Sequence, residues 1–324
     1  MYKAAFKVWR LLSVTFILAL AFPFSGFAYE RTPQKPAVVL AAFGTTEAEA
    51  LGSILNVLGR VKAAFPAYDV HLSFSSNIIR EIWHARAGDA AFRRANPQVP
   101  AEIYDIKNPL ATLALIQEQG ARDILVQSLH ITNGTEYRDQ KAVVEQLAAI
   151  TAFQESKRPF PYLAYGDSAL GDGSSARLER AAEALGSLIK LAESDGSALV
   201  LMGHGNDHYD VQAYRDFGAA MAKKYRYPVF IGQVEGEPGF EAVLAALQEA
   251  KVSKVLLSPF MLVAGDHARN DMAGGEADSW ASRLQAAGFS VKSNLEGLGA
   301  INAWADIYVA RLQTLDADMR KAAR

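Results

Sequence analysis

Three of the six histidines in this chain stand where chemistry is most easily done, at or just beyond the ends of apolar runs and beside glycines and acids. His204 follows an apolar run and a glycine in LVLMGHGNDH, and His267 follows a second run in PFMLVAGDHARND. His130 ends a third in QSLHITNGTEY, with Glu136 six residues on, beyond the Asn133-Gly134 turn. Imidazoles and a carboxylate converging on one cleft make a nitrogen–oxygen site for a divalent first-row metal. Without thiolate, such a site favours Co, Ni, Fe or Zn over Cu(I). Three protein ligands leave positions open for a substrate. Each histidine also has a plainer reading, as a hydrogen-bonded strand-end residue, but three at matching strand ends weigh against chance placement. His208 lies four residues after His204 and would pair with it on one helical turn, though the segment opens as a glycine turn. His71 begins a strand and reads as structural.

Composition narrows the classes. The chain has 324 residues, 33 Lys+Arg against 35 Asp+Glu, no cysteine and a hydrophobic share of 50%. Disordered chains are poorer in apolar residues, and disulfide scaffolds or thiolate metal sites need the missing cysteines. No basic excess points to nucleic acid. At the start, Lys3, Lys7 and Arg10 precede an apolar run from Leu11 to Phe24, and Gly26-Phe27-Ala28 offers small residues at the −3 and −1 positions of a signal-peptidase site. The run is short for a membrane span. The expectation is a signal peptide over 1–28 and a periplasmic mature chain with 30 basic against 35 acidic residues and no stable span.

The elements that must hold the histidines follow from period. Short apolar runs are read as strands at 37–43, 70–74, 123–130, 161–166, 198–203, 229–234, 254–262 and 290–294. Continuous runs such as ILVQSL suit strands buried on both faces of a parallel sheet. Amphipathic stretches between them are read as helices at 46–64, 108–119, 137–153, 174–193, 209–224, 239–250, 279–287 and 300–321. This alternation predicts an α/β fold of two similar doubly wound lobes, each with a mainly four-stranded parallel sheet flanked by helices. Four strand–helix units precede Asp195 and four follow, which places an N-terminal lobe over 29–195 and a C-terminal lobe over 196–324. A Gly turn ends the first strand of each half (Phe43-Gly44-Thr45 and Gly203-His204-Gly205), and a polar loop bearing a histidine follows the third. Ligands of such sheets bind at the carboxyl ends of the strands.

With these motifs in view, the chain resembles the anaerobic sirohydrochlorin cobaltochelatases, class II chelatases related in fold to ferrochelatase. SLHITNGTEY, LMGHGNDH and above all PFMLVAGDHARNDMAG carry the resemblance, which runs from about Val38 to the C-terminal helix. It implies two α/β lobes with a tetrapyrrole cleft between them. It also implies that His204, His267 and Glu136 serve as metal ligands and catalytic groups, with Co²⁺ (or Fe²⁺ or Ni²⁺) inserted into a sirohydrochlorin-type tetrapyrrole. The export signal and the Arg-rich region around 79–97 depart from that pattern.

The chemistry of insertion agrees with those residue types. Two pyrrole protons must leave, and neutral imidazole or carboxylate accepts protons near neutral pH. A polycarboxylate substrate needs positive charge or backbone N–H groups near the cleft. Phe43, Gly44, Thr45, Gly203 and Gly205 are candidates for close backbone approach, and His130 for an orienting role. Glu235, at the end of a strand, is read equally as a cleft residue or a solvated turn carboxylate. His84 lies in NIIREIWHARAG, read as a short helix with arginines around it. A solvated surface histidine is one reading; an axial ligand for haem b at a homo-oligomer contact is the other. A non-enzymatic metal or tetrapyrrole carrier using the same cleft is the alternative function. A metallophosphoesterase around GHGND is disfavoured, because no second carboxylate-rich motif accompanies it.

Overall fold

The residues of Ala37–Ala42 (β1) are apolar throughout and buried throughout, as a strand covered on both faces requires. In the computed structural model, which describes residues 35–205 and 210–322, this strand is central to the first of two sheets. The chain continues through α1 (Leu51–Ala64), β2 (Asp69–Phe74), α2 (Asn77–Ala87), α3 (Ala90–Ala95) and a 3-10 turn at Ala101–Asp105. It then runs through α4 (Pro109–Glu118), β3 (Asp123–Ser128), α5 (Thr135–Ala148) and β4 (Tyr162–Gly166). Helices α6 (Ser175–Ala184) and α7 (Gly186–Asp195) lead to β5 (Ala198–Gly203), α8 (Asp210–Lys224), β6 (Val229–Gln233), α9 (Phe240–Glu249) and β7 (Lys254–Pro259). A short π-helical turn at Ala268–Met272, α10 (Trp280–Ala286), β8 (Ser290–Ser293) and α11 (Asn302–Ala322) complete it.

Both sheets are four-stranded and parallel, in the orders β2-β1-β3-β4 and β6-β5-β7-β8. Each therefore reverses its winding between its two central strands, β1/β3 and β5/β7, where a crevice opens at the carboxyl ends. Alternate residues of β1 face opposite ways. Val38, Leu40 and Ala42 join a core with α1, α6, α11 and residues of the second sheet, while Ala37, Val39 and Ala41 pack with α4 and α5. The outer face of the second sheet is closed by Phe240, Val243 and Leu247 of α9 and Trp280 and Leu284 of α10. The last helix, α11, returns to the first half and packs on α1, α6, β3 and β4.

The duplication shows in the hydrogen bonds. Ser75 and Ser76 N–H donate to Ala42 and Phe43 O, as Val234 and Glu235 N–H donate to Gly203 and His204 O. Leu129 N–H donates to Ala41 O as Phe260 N–H does to Met202 O. Ala169 and Leu170 N–H donate to His130 and Ile131 O as Leu298 and Gly299 N–H do to Met261 and Leu262 O. Matched this way, Phe43 corresponds to His204, Ser76 to Glu235 and Glu136 to His267.

Some boundaries differ from the sequence reading. The helix read over 174–193 is two helices. The Tyr225 hydroxyl donates to the Ala182 carbonyl at 3.1 Å, occupying an oxygen that a continuous ladder would use for Gly186. Strands β3 and β7 stop at Ser128 and Pro259, because the residues that follow turn across the sheet ends, where their carbonyls take the N–H groups of Ala169, Leu170, Leu298 and Gly299. The signal-peptide reading over 1–28 and His208 lie outside the described residues. Among the described residues, no helix is long and apolar enough to cross a membrane.

Candidate functional site

Both crevices open into one cleft of about 410 Å³, within the roughly 300–1,000 Å³ usual for small-molecule sites. Phe43, Gly44 and Thr45 reach it from the end of β1, and His130 and Glu136 from beyond β3. His204 and Gly205 reach it from β5, and Gly265, Asp266 and His267 from beyond β7. Parallel strands put all four ends on one side, which is how residues far apart in sequence meet here.

His204 and His267 stand edge to face with ring centroids 4.6 Å apart. Glu235, just past β6, brings a carboxylate oxygen within 3.9 Å of the His204 Nδ1. One ligand atom from each of His204, Glu235 and His267 lies within 4.8 Å of the others, close enough to hold a single ion. The other nitrogen of each ring is already placed. His204 Nδ1–H donates to the Gly205 carbonyl at 2.8 Å, and His267 Nδ1–H donates to Asp271 Oδ2 at 2.5 Å. Both bonds leave Nε2 with its lone pair, in the tautomer a metal needs.

The backbone supports this geometry. Gly205 has φ +82, and a Cβ there would sit 2.2 Å from the Glu235 carbonyl oxygen, so glycine lets the His204 turn and the Glu235 turn touch. His267 begins the segment whose π-helical turn carries Asp271 beneath it, an irregularity frequent at functional sites.

Glu136, in the first turn of α5, lines the cleft but lies outside this three-residue cluster, where Glu235 accompanies the two histidines; the resemblance named Glu136 as the ligand. The repeat explains its placing, since Glu136 holds in the first half the position His267 holds in the second. His130 also lines the cleft. Its Nδ1 meets Ser128 Oγ at 2.9 Å, its Nε2 is sealed from solvent without a partner, and burial pushes its pKa down to about 4 against the opposing pull of Glu136. The ring is neutral at pH 7. Gly203 serves packing rather than the cleft wall: a Cβ there would meet the Tyr214 ring at 2.3 Å. His71 sits half-buried on β2, away from this cleft. His84 is exposed on α2, and its Nε2 lies 2.9 Å from the Ile106 carbonyl, so an axial-ligand role through that nitrogen would first have to break this bond.

Sequence reading did not single out Asp271, Tyr214, Ile79 or the Phe260–Val263 turn. Asp271 had a signal, an acid four residues after His267, where helical spacing brings side chains together. The others are apolar or aromatic residues whose approach depends on tertiary packing.

Two parallel α/β sheets that share a cleft at their winding reversals, with paired imidazoles and a carboxylate at its edge, define a chelatase-type protein. The chain belongs to the cobalt chelatase (CbiK) family, whose model matches residues 36–316. It is 31% identical over 292 residues to the sirohydrochlorin cobaltochelatase of Salmonella typhimurium strain LT2, covering 89% of this chain and 100% of that one. It is also 31% identical over 286 residues to sirohydrochlorin cobaltochelatase CbiKC of Nitratidesulfovibrio vulgaris strain Hildenborough, covering 87% and 92%. In fold it is similar to SirB from Bacillus subtilis with Fe³⁺, with TM-score 0.57 at 15% identity over 89% of this chain and 98% of that one. The sirohydrochlorin chelatase SirB from Bacillus subtilis subspecies spizizenii in complex with cobalt gives TM-score 0.54 at 14% identity, over 87% and 95%.

Proposed function

We propose that this enzyme inserts a divalent metal, Co²⁺ in the leading case, into sirohydrochlorin, with Fe²⁺ or Ni²⁺ as alternative substrate metals. The observation that carries the reading is the cluster of His204, His267 and Glu235 at the edge of a cleft open to a flat ligand. Two neutral nitrogens and one carboxylate hold a 2+ ion, leave coordination positions open and contain no thiolate that would retain it. Ring nitrogens of the substrate can then replace the protein ligands one at a time.

The metal-free ring carries two pyrrole N–H groups, and each M²⁺ that enters releases two protons. Metal on the His204 side and acceptors on the other wall divide this labour. Glu136, facing the cleft from the first sheet, is the group that takes the protons leaving the ring. His130 beside it stays neutral and meets the substrate as a hydrogen-bond partner.

The two carboxylates separate the roles. Glu235→Gln should weaken Co²⁺ binding about 10- to 100-fold, read by the visible absorbance of the bound ion. Glu136→Gln should leave that titration unchanged and lower kcat about 10²-fold or more. The opposite pattern, with Glu136→Gln losing the metal and Glu235→Gln retaining it, would return Glu136 to the ligand set and overturn this division.

A further inference from the structure

The wall contributed by the first sheet holds a second set of polar groups without partners. Where the chain leaves β1, most of its carbonyls already have donors. Ser75 and Ser76 N–H hold Ala42 and Phe43 O, the Trp83 indole N–H donates to Thr45 O at 2.7 Å, and the Arg86 guanidinium donates to Thr46 O. The amides of Gly44, Thr45 and Thr46 have no acceptor among the described residues, and all three residues line the cleft. Gly44 and Thr45 are buried, where unpaired backbone N–H groups are rare. Gly44, at φ +106, gives the turn that allows successive amides to point one way.

A second observation lies alongside. The register of β1 on β3 continues Phe43 next to His130, whose sealed, partnerless Nε2 lies on the same wall. Ser128 Oγ accepts the His130 backbone N–H at 3.3 Å and lies 2.9 Å from the ring Nδ1. Among the described residues, no Lys or Arg lines the cleft.

We propose that this wall is a carboxylate-binding subsite, in which the amides of Gly44, Thr45 and Thr46 receive an acid side chain of the tetrapyrrole beside the His130 ring, and that Trp83 and Arg86 are positioning residues that hold those amides. It rests on the reading of the cleft as a tetrapyrrole site. Neutral donors are suited to the task. They recognise a carboxylate without placing a fixed positive charge next to the incoming metal, which lysine or arginine would repel. Arg86 is held for its role by the Trp83 and Phe92 rings, 4.8 and 4.4 Å from its guanidinium carbon.

The test titrates metal-free sirohydrochlorin and its fully esterified derivative into wild type, Arg86→Gln and Trp83→Phe, following tetrapyrrole fluorescence. Wild type should favour the acid by about tenfold or more. Arg86→Gln should raise Kd and KM for the acid about tenfold, with the ester unaffected, kcat held and Co²⁺ affinity unchanged. Trp83 is fully buried, so Arg86→Gln decides the matter if Trp83→Phe does not fold. Equal binding of acid and ester by wild type would overturn the subsite, as would folded variants that keep the wild-type preference. Selective binding of the acid without metal insertion would sink the proposed activity and leave the subsite standing. Insertion without acid preference would do the reverse.

Discussion

A metal-binding imidazole is only as good as the group that fixes its other nitrogen. His267 depends on Asp271, one helical turn on, and His204 on the carbonyl of the glycine that follows it. Asp271→Ala should therefore lower Co²⁺ affinity about 10- to 100-fold with little change in stability, and a Co²⁺ titration with wild-type affinity would contradict this. His130 leaves a different signature. Its folded pKa, about 4, lies below the ordinary histidine value of 6.5, so the unfolded state binds more protons between those limits. Its contribution to stability is complete above about pH 6.5 and is lost as pH falls through about 4. His130→Gln should flatten the pH dependence of the urea midpoint across that window; an unchanged slope would show that the ring already titrates normally.

Helix α11 carries the relation between the two halves at the element scale. Trp304, fully buried, meets Phe260 edge-on at 5.6 Å, and Tyr308 donates to the Leu129 carbonyl at 3.1 Å. Leu129 and Phe260 are the matched residues at the ends of β3 and β7, so one helix braces both switch points. Trp304→Ala should cost about 3–5 kcal/mol in urea unfolding and loosen the Co²⁺ site with it. Destabilisation below about 1 kcal/mol would mean that the brace is dispensable. These relations also mark what sequence could convey. All eight strands and the repeat were legible, because doubly buried strands read as unbroken apolar runs such as ALVLMG and the Gly turns punctuate them. The placing of His204 and His267 at the cleft was legible for the same reason. That Glu235, rather than Glu136, approaches the two histidines was not. Glu136 and Glu235 both follow strand ends, and the choice between them depends on which sheet each strand end belongs to, a tertiary fact. The helix break at Gly186 depends on Tyr225, and α3 with the 3-10 turn depends on a partner, since Phe92 and Tyr104 pack around Trp83 at 6.0 and 5.8 Å.

For the molecule as a whole, duplication supplies two walls and divergence gives them different work. The second half places two imidazoles and Glu235 beyond its strand ends, while the first places Glu136, His130 and a row of amides without acceptors among the described residues beyond its own. On the proposed reading, a flat polycarboxylate lying between them would meet metal on one side and hydrogen-bond donors and a proton acceptor on the other. The claim that matters most is turnover, because a carrier with the same cleft would bind the same molecules and stop. The direct measurement is absorbance of sirohydrochlorin and Co²⁺, both in large excess over the protein, with His204→Ala and His267→Ala as controls. Many equivalents of cobalt-sirohydrochlorin per chain, formed by wild type and reduced to the uncatalysed rate in both variants, are the expected result. Product that halts at one equivalent, or turnover that survives the loss of either imidazole, would contradict the account.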